Sequence, residues 1–542
     1  MSNASFIMIA VPDILKLGER LKNLRLTYKK QGFESELKPT WELSCEDESE
    51  KIVHERKGRL IRDLNLDDLG KICSEERFEL WGEKKTKHGD RFNQGFAYIL
   101  GHPLQDENWV TQSRKTIQEL NGEEKKRTLD SIIDNMYCLG VLNEGMKGDD
   151  SFFLSPAKIR IDKRLGFLET YHDILSELET LCEGTESQPL ESIRKYINEL
   201  RNTKGGVFVP TAVEGARNHL KLNLEITHSV GYGYSFRFTR SRYGTRVPGI
   251  RILKHLGHRV KAKIFFMFPY RSKVDSALKN LIRANREDIE GTLSLLPALE
   301  FYRCGVNYER KLGEKAKEIT FPEISLDEVA IRDLKHPLTS LNGDGVVPNN
   351  YDSSSKERIL LVTGANNGGK TFYSKAIGLA QLLFQRGLSI PAKSAQLKLT
   401  DDVYTHFVAQ DDPIHGEGRY RFELRRMCEI LENCTNRSLV IVDEPCSGTE
   451  PEMGQVQSSY FVEALSEAGS HVIFTTHFHG LAKLNDRIAS IRNIHPDTEF
   501  NDGKLAYNYK MLDGPAGTSY ALEVAQSMDL GREALLEKVR RR

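Results

Sequence analysis

The hydrophobic positions of this chain change their spacing several times along its length. Residues 1 to about 90 are mixed and charged ("CEDESEKIVHERKGRLIRDLNLDDLGKICSEE"), with helical spacing around Leu60, Leu64 and Leu69 and no chemical motif. From about Phe92 to Leu200 apolar residues recur at steps of three and four: Ile117 and Leu120; Ile132, Ile133, Met136 and Leu139; Ile174, Leu175, Leu178 and Leu181. That period predicts packed helices joined by polar loops such as "NEGMKGDD". Between Val207 and Tyr270 the pattern turns to alternation, as in "SFRFTR", with turn signals at the glycines, which predicts strands. Helical spacing returns from Val274 to Leu312, then come the turn-formers "NGDGVVPNNYDSSSKER" and an α/β pattern of short apolar runs. The expected organisation is 1–90 without an assigned role, 91–206 helical, 207–272 a β-rich insert, 273–319 returning helices and 320–542 an α/β domain. The expected fold class is therefore α/β and α.

Length and charge narrow the partners. A chain of 542 residues accommodates several domains at about 100–200 residues each. Its 77 basic and 77 acidic residues cancel, so an electrostatic partner must be read from local patches. Eight cysteines are scattered without a CxxC pair, which argues against a zinc ribbon or a disulfide framework and suits reduced thiols in a cytoplasmic setting. The apolar "FIMIAV" near the start lacks the basic flank and cleavage-like sequence of a leader, and no apolar run reaches the roughly 18 residues of a membrane span. The expectation is a soluble, cytoplasmic protein with no membrane partner.

The chemistry sits at the ends of the apolar runs. Gly364-Ala365-Asn366-Asn367-Gly368-Gly369-Lys370-Thr371 fits GxxxxGK[ST], after a strand pattern and before a helical one. Backbone N–H groups of such a loop point at phosphate oxygens, and the helix N-terminus adds partial positive charge. Lys370 suits neutralisation of the β and γ phosphates and the Thr371 hydroxyl suits a Mg²⁺ ligand; a chance glycine-rich turn is the plain alternative. "SLVIVDEP", Ser438 to Pro445, ends an apolar strand in two carboxylates, Asp443 for a Mg²⁺ shell and Glu444 for polarising an attacking water. Paired acids on a solvated edge would be the bland reading, but the "LVIV" run points to a buried strand. "HVIFTTH" brings His477 to a strand's C-terminal end, where ligands meet parallel sheets, and suits γ-phosphate sensing. Three such motifs in this order point to an ATPase of the ABC type, whose site a second subunit completes.

On those residues, the C-terminal domain resembles the ATPase domain of the MutS family of DNA mismatch-repair proteins. The likeness is carried by "TGANNGGKT", "LVIVDEPCSGTEPEMG", "TTHFHGLAKL" and "DGPAGTSYALEVAQSMDL". The family's counterparts read TGPNMGGKS, LVLxDExGxGTxxxxG, ATHxHEL and DGxxxxSYGxxVAxxAG. Upstream, "GFAYILGHPLQDENWVTQSRKTIQEL" resembles the start of the family's helical core, and "RDLKHPL" the segment entering the ATPase domain. The likeness runs from about Phe92 to Leu530 and is strongest after Ile331. It implies a helical core and lever domain with a clamp-like insert, followed by an ABC-type P-loop ATPase domain with a central, mostly parallel sheet. It implies ATP and Mg²⁺ as ligands, with Gly364, Ala365, Asn366, Asn367, Gly368, Gly369, Lys370 and Thr371 around the nucleotide and Thr371 and Asp443 at the metal. It further implies catalytic roles for Glu444 and His477, and an adenine-stacking ring in Tyr509, for which a core aromatic is the equal alternative.

One stretch departs from the family. Where the loop reaching the partner's γ-phosphate reads GxSTF, this chain has "HGEGRYRFELRRM", with Tyr420 and Arg421 in place of Ser-Thr. Arg419 or Arg421 would serve as a substitute phosphate contact across the dimer, or be an ordinary surface arginine; either way slow or differently coupled hydrolysis is expected. The insert is also distinctive, because no Asp or Glu occurs between Ile226 and Val274. Arg237, Arg240, Arg242, Arg246, Arg251, Lys254, Arg259, Lys261 and Lys263 accumulate there among Tyr232, Tyr234, Phe236, Phe238 and Tyr243. Such a patch suits sequence-tolerant contact with nucleic-acid phosphates, or else an acidic partner or solubility. The expectation is a chain without the family's mismatch-reading domain, since few residues precede the core and Phe78-Glu79 is not its Phe-x-Glu wedge, and without a C-terminal Smr nuclease domain. The expected function is a homodimeric, ATP-driven clamp on double-stranded DNA, in repair or recombination. The alternatives are a ribosome- or RNA-directed ATPase, since "GTEPEMG" resembles the family branch with members acting on stalled ribosomes, and a scaffold with weak ATPase.

Overall fold

Strands buried on both faces need helices above and below them, and that requirement organises the C-terminal half of the chain. The computed structural model describes residues 24–30, 37–43, 48–74, 96–147, 157–202, 223–228, 234–239, 275–343, 345–365, 367–407, 419–501, 504–517 and 530–540. They belong to two compact units, Met1–Ser44 with Gly122–Leu299, and Cys45–Asn121 with Glu300–Arg542. This division cuts across the boundaries drawn from hydrophobic spacing, because residues 45–121 group with the C-terminal α/β elements.

In the first unit, β1 (Leu24–Lys30) and β2 (Leu37–Leu43) form an antiparallel hairpin. Helices Glu123–Lys147 and Ala157–Cys182 pack along each other, and Ile132, Ile133, Met136, Ile174, Leu178 and Leu181 are all buried. Glu177 ties the two helices by accepting hydrogen bonds from Ser131 Oγ (2.6 Å) and Asn135 Nδ2 (3.1 Å). The 3.6-residue period therefore marks the core stripe as expected. In the region of the β-rich insert, β3 (Asn223–His228) and β4 (Tyr234–Thr239) pair antiparallel and place Glu225 opposite Arg237 in the register. The other basic positions singled out there, Arg240, Arg242, Arg246, Arg251, Lys254, Arg259, Lys261 and Lys263, lie outside the described residues.

The second unit opens with α1 (Glu48–Asp63) and α2 (Leu66–Ser74), which bury Leu60, Leu64, Leu66 and Leu69. Next comes α3 (Glu107–Leu120), N-capped by the Asp106 side chain on Trp109 N (3.1 Å). A small sheet contains β5 (Glu323–Ser325), β6 (Val329–Leu334), β7 (Asn349–Ser353) and β9 (Ser394–Lys398), ordered β5-β9-β6-β7. The main sheet contains β8 (Ile359–Thr363), β10 (Val403–His406), β11 (Leu439–Asp443), β12 (His471–Thr476), β13 (Ile491–Asn501) and β14 (Lys504–Asp513). Its order is β10-β11-β12-β8-β13-β14, parallel throughout except for the antiparallel β13–β14 edge pair.

Every residue of β8, β11 and β12 is buried, which explains why these strands read as unbroken apolar runs rather than as alternation. On one face Val440, Val442, Val472 and Phe474 meet Met427 and Ile430 of α5 (Arg419–Asn433) and Phe461, Val462 and Leu465 of α6 (Pro451–Ala468). The helix following β8, Lys370–Gln385, packs on β11 and β12. It comes close through Gly378, where an added Cβ would stand 2.6 Å from Ile441 Cδ1 and 3.1 Å from Leu64 Cδ2. A glycine is required there by the approach of strand and N-terminal helix together.

The N-terminal helices are tied to this unit by charge as well as packing. Lys57 and Arg56 both bond Asp402, Arg59 bonds Glu429, and Lys375 Nζ donates to Asn65 Oδ1 at 2.8 Å. Asp63 accepts from Thr405 Oγ1 (2.6 Å) and from the Arg426 guanidinium. Arg426 also donates to the Thr405 (2.9 Å) and Phe407 (3.1 Å) carbonyls.

Burial also depresses four histidines of this unit, His479 and, more strongly, His336 to about 4, His406 to about 3 and His471 to about 4. Arg426 and Arg59 add to the effect at His406, whose two ring nitrogens have no protein hydrogen-bond partner. The unfolded chain takes up these protons near the ordinary histidine value and the folded chain does not, so the neutral rings stabilise above about pH 6.5 and this contribution is lost as pH falls below it. Urea unfolding is expected to lose up to about 1.4 kcal/mol per pH unit per histidine below about pH 6. His406→Leu is expected to flatten that slope by about one proton. A slope unchanged by the substitution would remove His406 from the account.

Candidate functional site

The ends of β8, β11 and β12 bring the sequence motifs to one place at the carboxyl edge of the sheet, the edge at which open α/β sheets bind ligands. The loop Gly364–Gly369 leaves β8 and enters α4 (Lys370–Gln385). Its backbone needs conformations that side chains resist: φ is +143° at Gly364, +67° at Asn367 and +90° at Gly369. Space is tight as well. An added Cβ would meet Pro496 at 2.8 Å from Gly364 and at 2.7 Å from Gly368, so Pro496 roofs the loop and admits only glycine at both points. Asn366 lies outside the described residues.

Lys370, 4% exposed, donates to the carbonyls of Gly364 (2.9 Å) and Ala365 (3.0 Å) and pairs with Glu444 Oε1 at 3.1 Å. The ammonium therefore sits between the loop and the acidic strand end. Thr371 Oγ1 donates to both oxygens of Asp443, at 3.0 and 2.9 Å, and Thr475 Oγ1 of β12 donates to Asp443 Oδ1 at 2.6 Å. Burial raises the Asp443 pKa against those two hydroxyls, as expected of a buried acceptor short of positive charge. Glu444 behaves oppositely: the neighbouring His477 ring, with Nδ1 3.7 Å away, and Lys370 hold it down at about 2 despite partial burial. It remains a carboxylate over the whole neutral range.

A buried carboxylate with a hydroxyl turned onto it is a donor set for a small hard cation that completes its shell with water and phosphate oxygens. Among the described residues no group of three or more His, Cys, Asp and Glu side chains converges on one point. The donor set fits Mg²⁺ held by Thr371 and Asp443 alongside a polyphosphate.

Tyr509 stands beside this loop. Its ring reaches within 3.2 Å of where a Cβ on Gly369 would lie, it is 48% exposed, and its backbone has φ +54°. A side-chain amide fixes that conformation, because Asn349 Nδ2 donates to Tyr509 O (2.9 Å) while Asn349 Oδ1 accepts from Met511 N (2.8 Å). An exposed ring at the mouth of the loop is not a core aromatic. Asn349, Thr475 and Pro496 escaped the sequence reading; only the position of "VVPNN" just ahead of the β8 run hinted at the first.

The remaining candidates divide. Tyr420 is half-buried and packs against the hydrophobic core under the sheet, while Arg421 beside it in the first turn of α5 is exposed. The Arg419 side chain and residues 408–418 lie outside the described residues. The turn after β11 is unusual, since both Glu444 (φ +46°) and Cys446 (φ +59°) adopt left-handed backbone.

These features define a parallel α/β domain with a glycine-rich loop, a lysine and a paired-acid strand end gathered at one edge. Residues 360–540 match the protein family described as MutS domain V. Similar proteins bear the name DNA mismatch repair protein MutS. That of Bacillus subtilis is 31% identical over 217 residues, 40% of this chain and 25% of the relative. That of Lactobacillus delbrueckii subsp. bulgaricus is 30% identical over 266 residues, 48% of this chain and 30% of the relative. That of Bacillus cereus is 26% identical over 322 residues, 57% and 36% of the two chains. The matches span only about a quarter to a third of these relatives. Among the described residues no helix is long and apolar enough to cross a membrane.

Proposed function

We propose that this chain is a cytoplasmic, MutS-like ATPase that works as a homodimer, and that ATP sets its grip on double-stranded DNA. The observation that carries the reading is the single cluster in which Lys370 meets Glu444 while Thr371 and Thr475 meet Asp443, at the foot of a glycine loop. The loop amides and Lys370 bind the β and γ phosphates, and Tyr509 offers its ring to the adenine. Thr371 and Asp443 would hold Mg²⁺, which would supply neutralisation of phosphate charge. Glu444 orients a water by accepting its hydrogen bond; its low proton affinity suits positioning rather than early proton removal. The water oxygen bonds to the γ-phosphorus as the bond to the bridging oxygen breaks, ADP leaves with the electron pair, and the water proton ends on phosphate. His477, with Nδ1 3.7 Å from Glu444, is assigned in this reading to the departing phosphate.

DNA as partner is supported by the names of the relatives and by the run of basic residues from Arg237 to Lys263. Two nucleotide states must differ in DNA affinity for ATP to act as a switch. Fluorescence anisotropy of duplex DNA and structured RNA across a salt series, with and without ATP, tests this together with sizing of the particle. Duplex binding is expected to weaken with salt and to respond to nucleotide. In the Arg240→Glu, Arg242→Glu, Arg246→Glu variant the log–log salt dependence is expected to become shallower by about 0.9 for each phosphate that the variant leaves unneutralised. Stronger response with RNA would point to an RNA-directed ATPase, and binding unaltered in the variant would move the nucleic-acid surface elsewhere.

A further inference from the structure

The turn carrying Glu444 is held in an unfavourable shape from several sides. Left-handed backbone at two nearby non-glycine sites, Glu444 and Cys446, costs on the order of 1–3 kcal/mol each and persists only where the surroundings impose it. Glu444 N donates to Thr475 O at 3.0 Å, which anchors the entry of the turn on β12. At its exit Cys446 N donates to Glu423 Oε2 at 2.8 Å. The carbonyl of Cys446 lies against Gly454 of α6, where an added Cβ would come within 2.8 Å. Glu423 belongs to α5 and is 4% exposed, so a carboxylate has been taken almost wholly out of water and set on a backbone amide. Buried carboxylates are costly to keep, and a plain core position would hold an apolar residue.

We propose that Glu423 is a positioning residue for hydrolysis: by accepting the Cys446 amide it fixes the left-handed turn and thereby aims the Glu444 carboxylate at the water it orients. Glu423 sits in the first two turns of α5, so its hydrogen bond to Cys446 N joins the start of that helix to the Glu444 turn. The inference rests on Glu444 acting on ATP.

Glu423→Ala, Glu423→Asp and Glu423→Gln are compared in the full chain by single-turnover ATP hydrolysis, by titration with a fluorescent ATP analogue and by thermal unfolding. Glu423→Gln keeps an acceptor of the same length on the Cys446 amide, whereas Glu423→Asp withdraws the carboxylate by one methylene. Alanine and aspartate are expected to slow hydrolysis about 10- to 100-fold while nucleotide affinity stays within about twofold, and glutamine to stay within about threefold of wild type. Should alanine prevent folding, the aspartate–glutamine contrast carries the test. Hydrolysis equal to wild type in the aspartate variant, or affinity falling in step with rate, would overturn the positioning role. Hydrolysis unaffected by Glu444→Gln would instead overturn the ATPase reading on which it stands.

Discussion

Lys370→Ala is expected to abolish detectable nucleotide binding, while Glu444→Gln is expected to bind nucleotide and fail to turn it over. The two side chains are in contact at 3.1 Å, yet their losses differ in kind. Lys370 is nearly enclosed, and removing it takes away the counter-ion for the phosphates and the donor to the Gly364 and Ala365 carbonyls. Truncating one partner of a buried charged pair costs about 2–5 kcal/mol, which weakens affinity by roughly 30-fold to several thousandfold. Arginine at the same position is not expected to rescue, since a planar fork cannot occupy a pocket shaped by two carbonyls and one carboxylate. Glu444→Gln keeps the size of the side chain and an oxygen for Lys370 but loses the charge that orients water, so turnover is expected to drop by about 10²–10³-fold. Titration with a fluorescent ATP analogue and a single-turnover assay separate the two. Retained affinity in Lys370→Ala would detach the loop from the nucleotide.

The site was readable from sequence where its chemistry is local and hidden where it depends on tertiary pairing. The glycine loop, Lys370 and Thr371 are contiguous, and β11 and β12 advertise themselves because central parallel strands are apolar at nearly every residue. Thr475 is a β-branched strand residue like its neighbours, and only the parallel register that sets it opposite Asp443 gives its hydroxyl a partner. Asn349 and Tyr509 are 160 positions apart, and their bond exists because a small-sheet strand ends beside β14. Glu423 looked like one charge among many in "RFELRRM", and nothing in its spacing announces burial. The early region was uninformative for the same reason: Lys57, Asp63 and Asn65 find partners more than 300 positions later, a distance across which hydrophobic period carries no information.

That long-range attachment carries the second large effect. Asp63→Ala is expected to destabilise the C-terminal unit by about 3–5 kcal/mol, because it strands a buried cation. Arg426 is 5% exposed, burial pulls its pKa down, and Asp63 is the first charge that opposes the pull. Without that carboxylate the guanidinium keeps two carbonyl acceptors and only the weaker pull of Glu429, which Arg59 already engages, and Thr405 loses its acceptor as well. Neutralising both partners should cost much less than the sum: Asp63→Ala with Arg426→Met is expected to recover at least about 1 kcal/mol over the additive value in a double-mutant cycle. Urea unfolding of the full chain, followed by the loss of sheet signal, measures each corner of the cycle. Asp63→Ala within about 0.5 kcal/mol of wild type would mean that the Asp63–Arg426 pair adds nothing to the attachment of α1, which then rests on Leu60 and on the pairs of Arg56, Lys57 and Arg59.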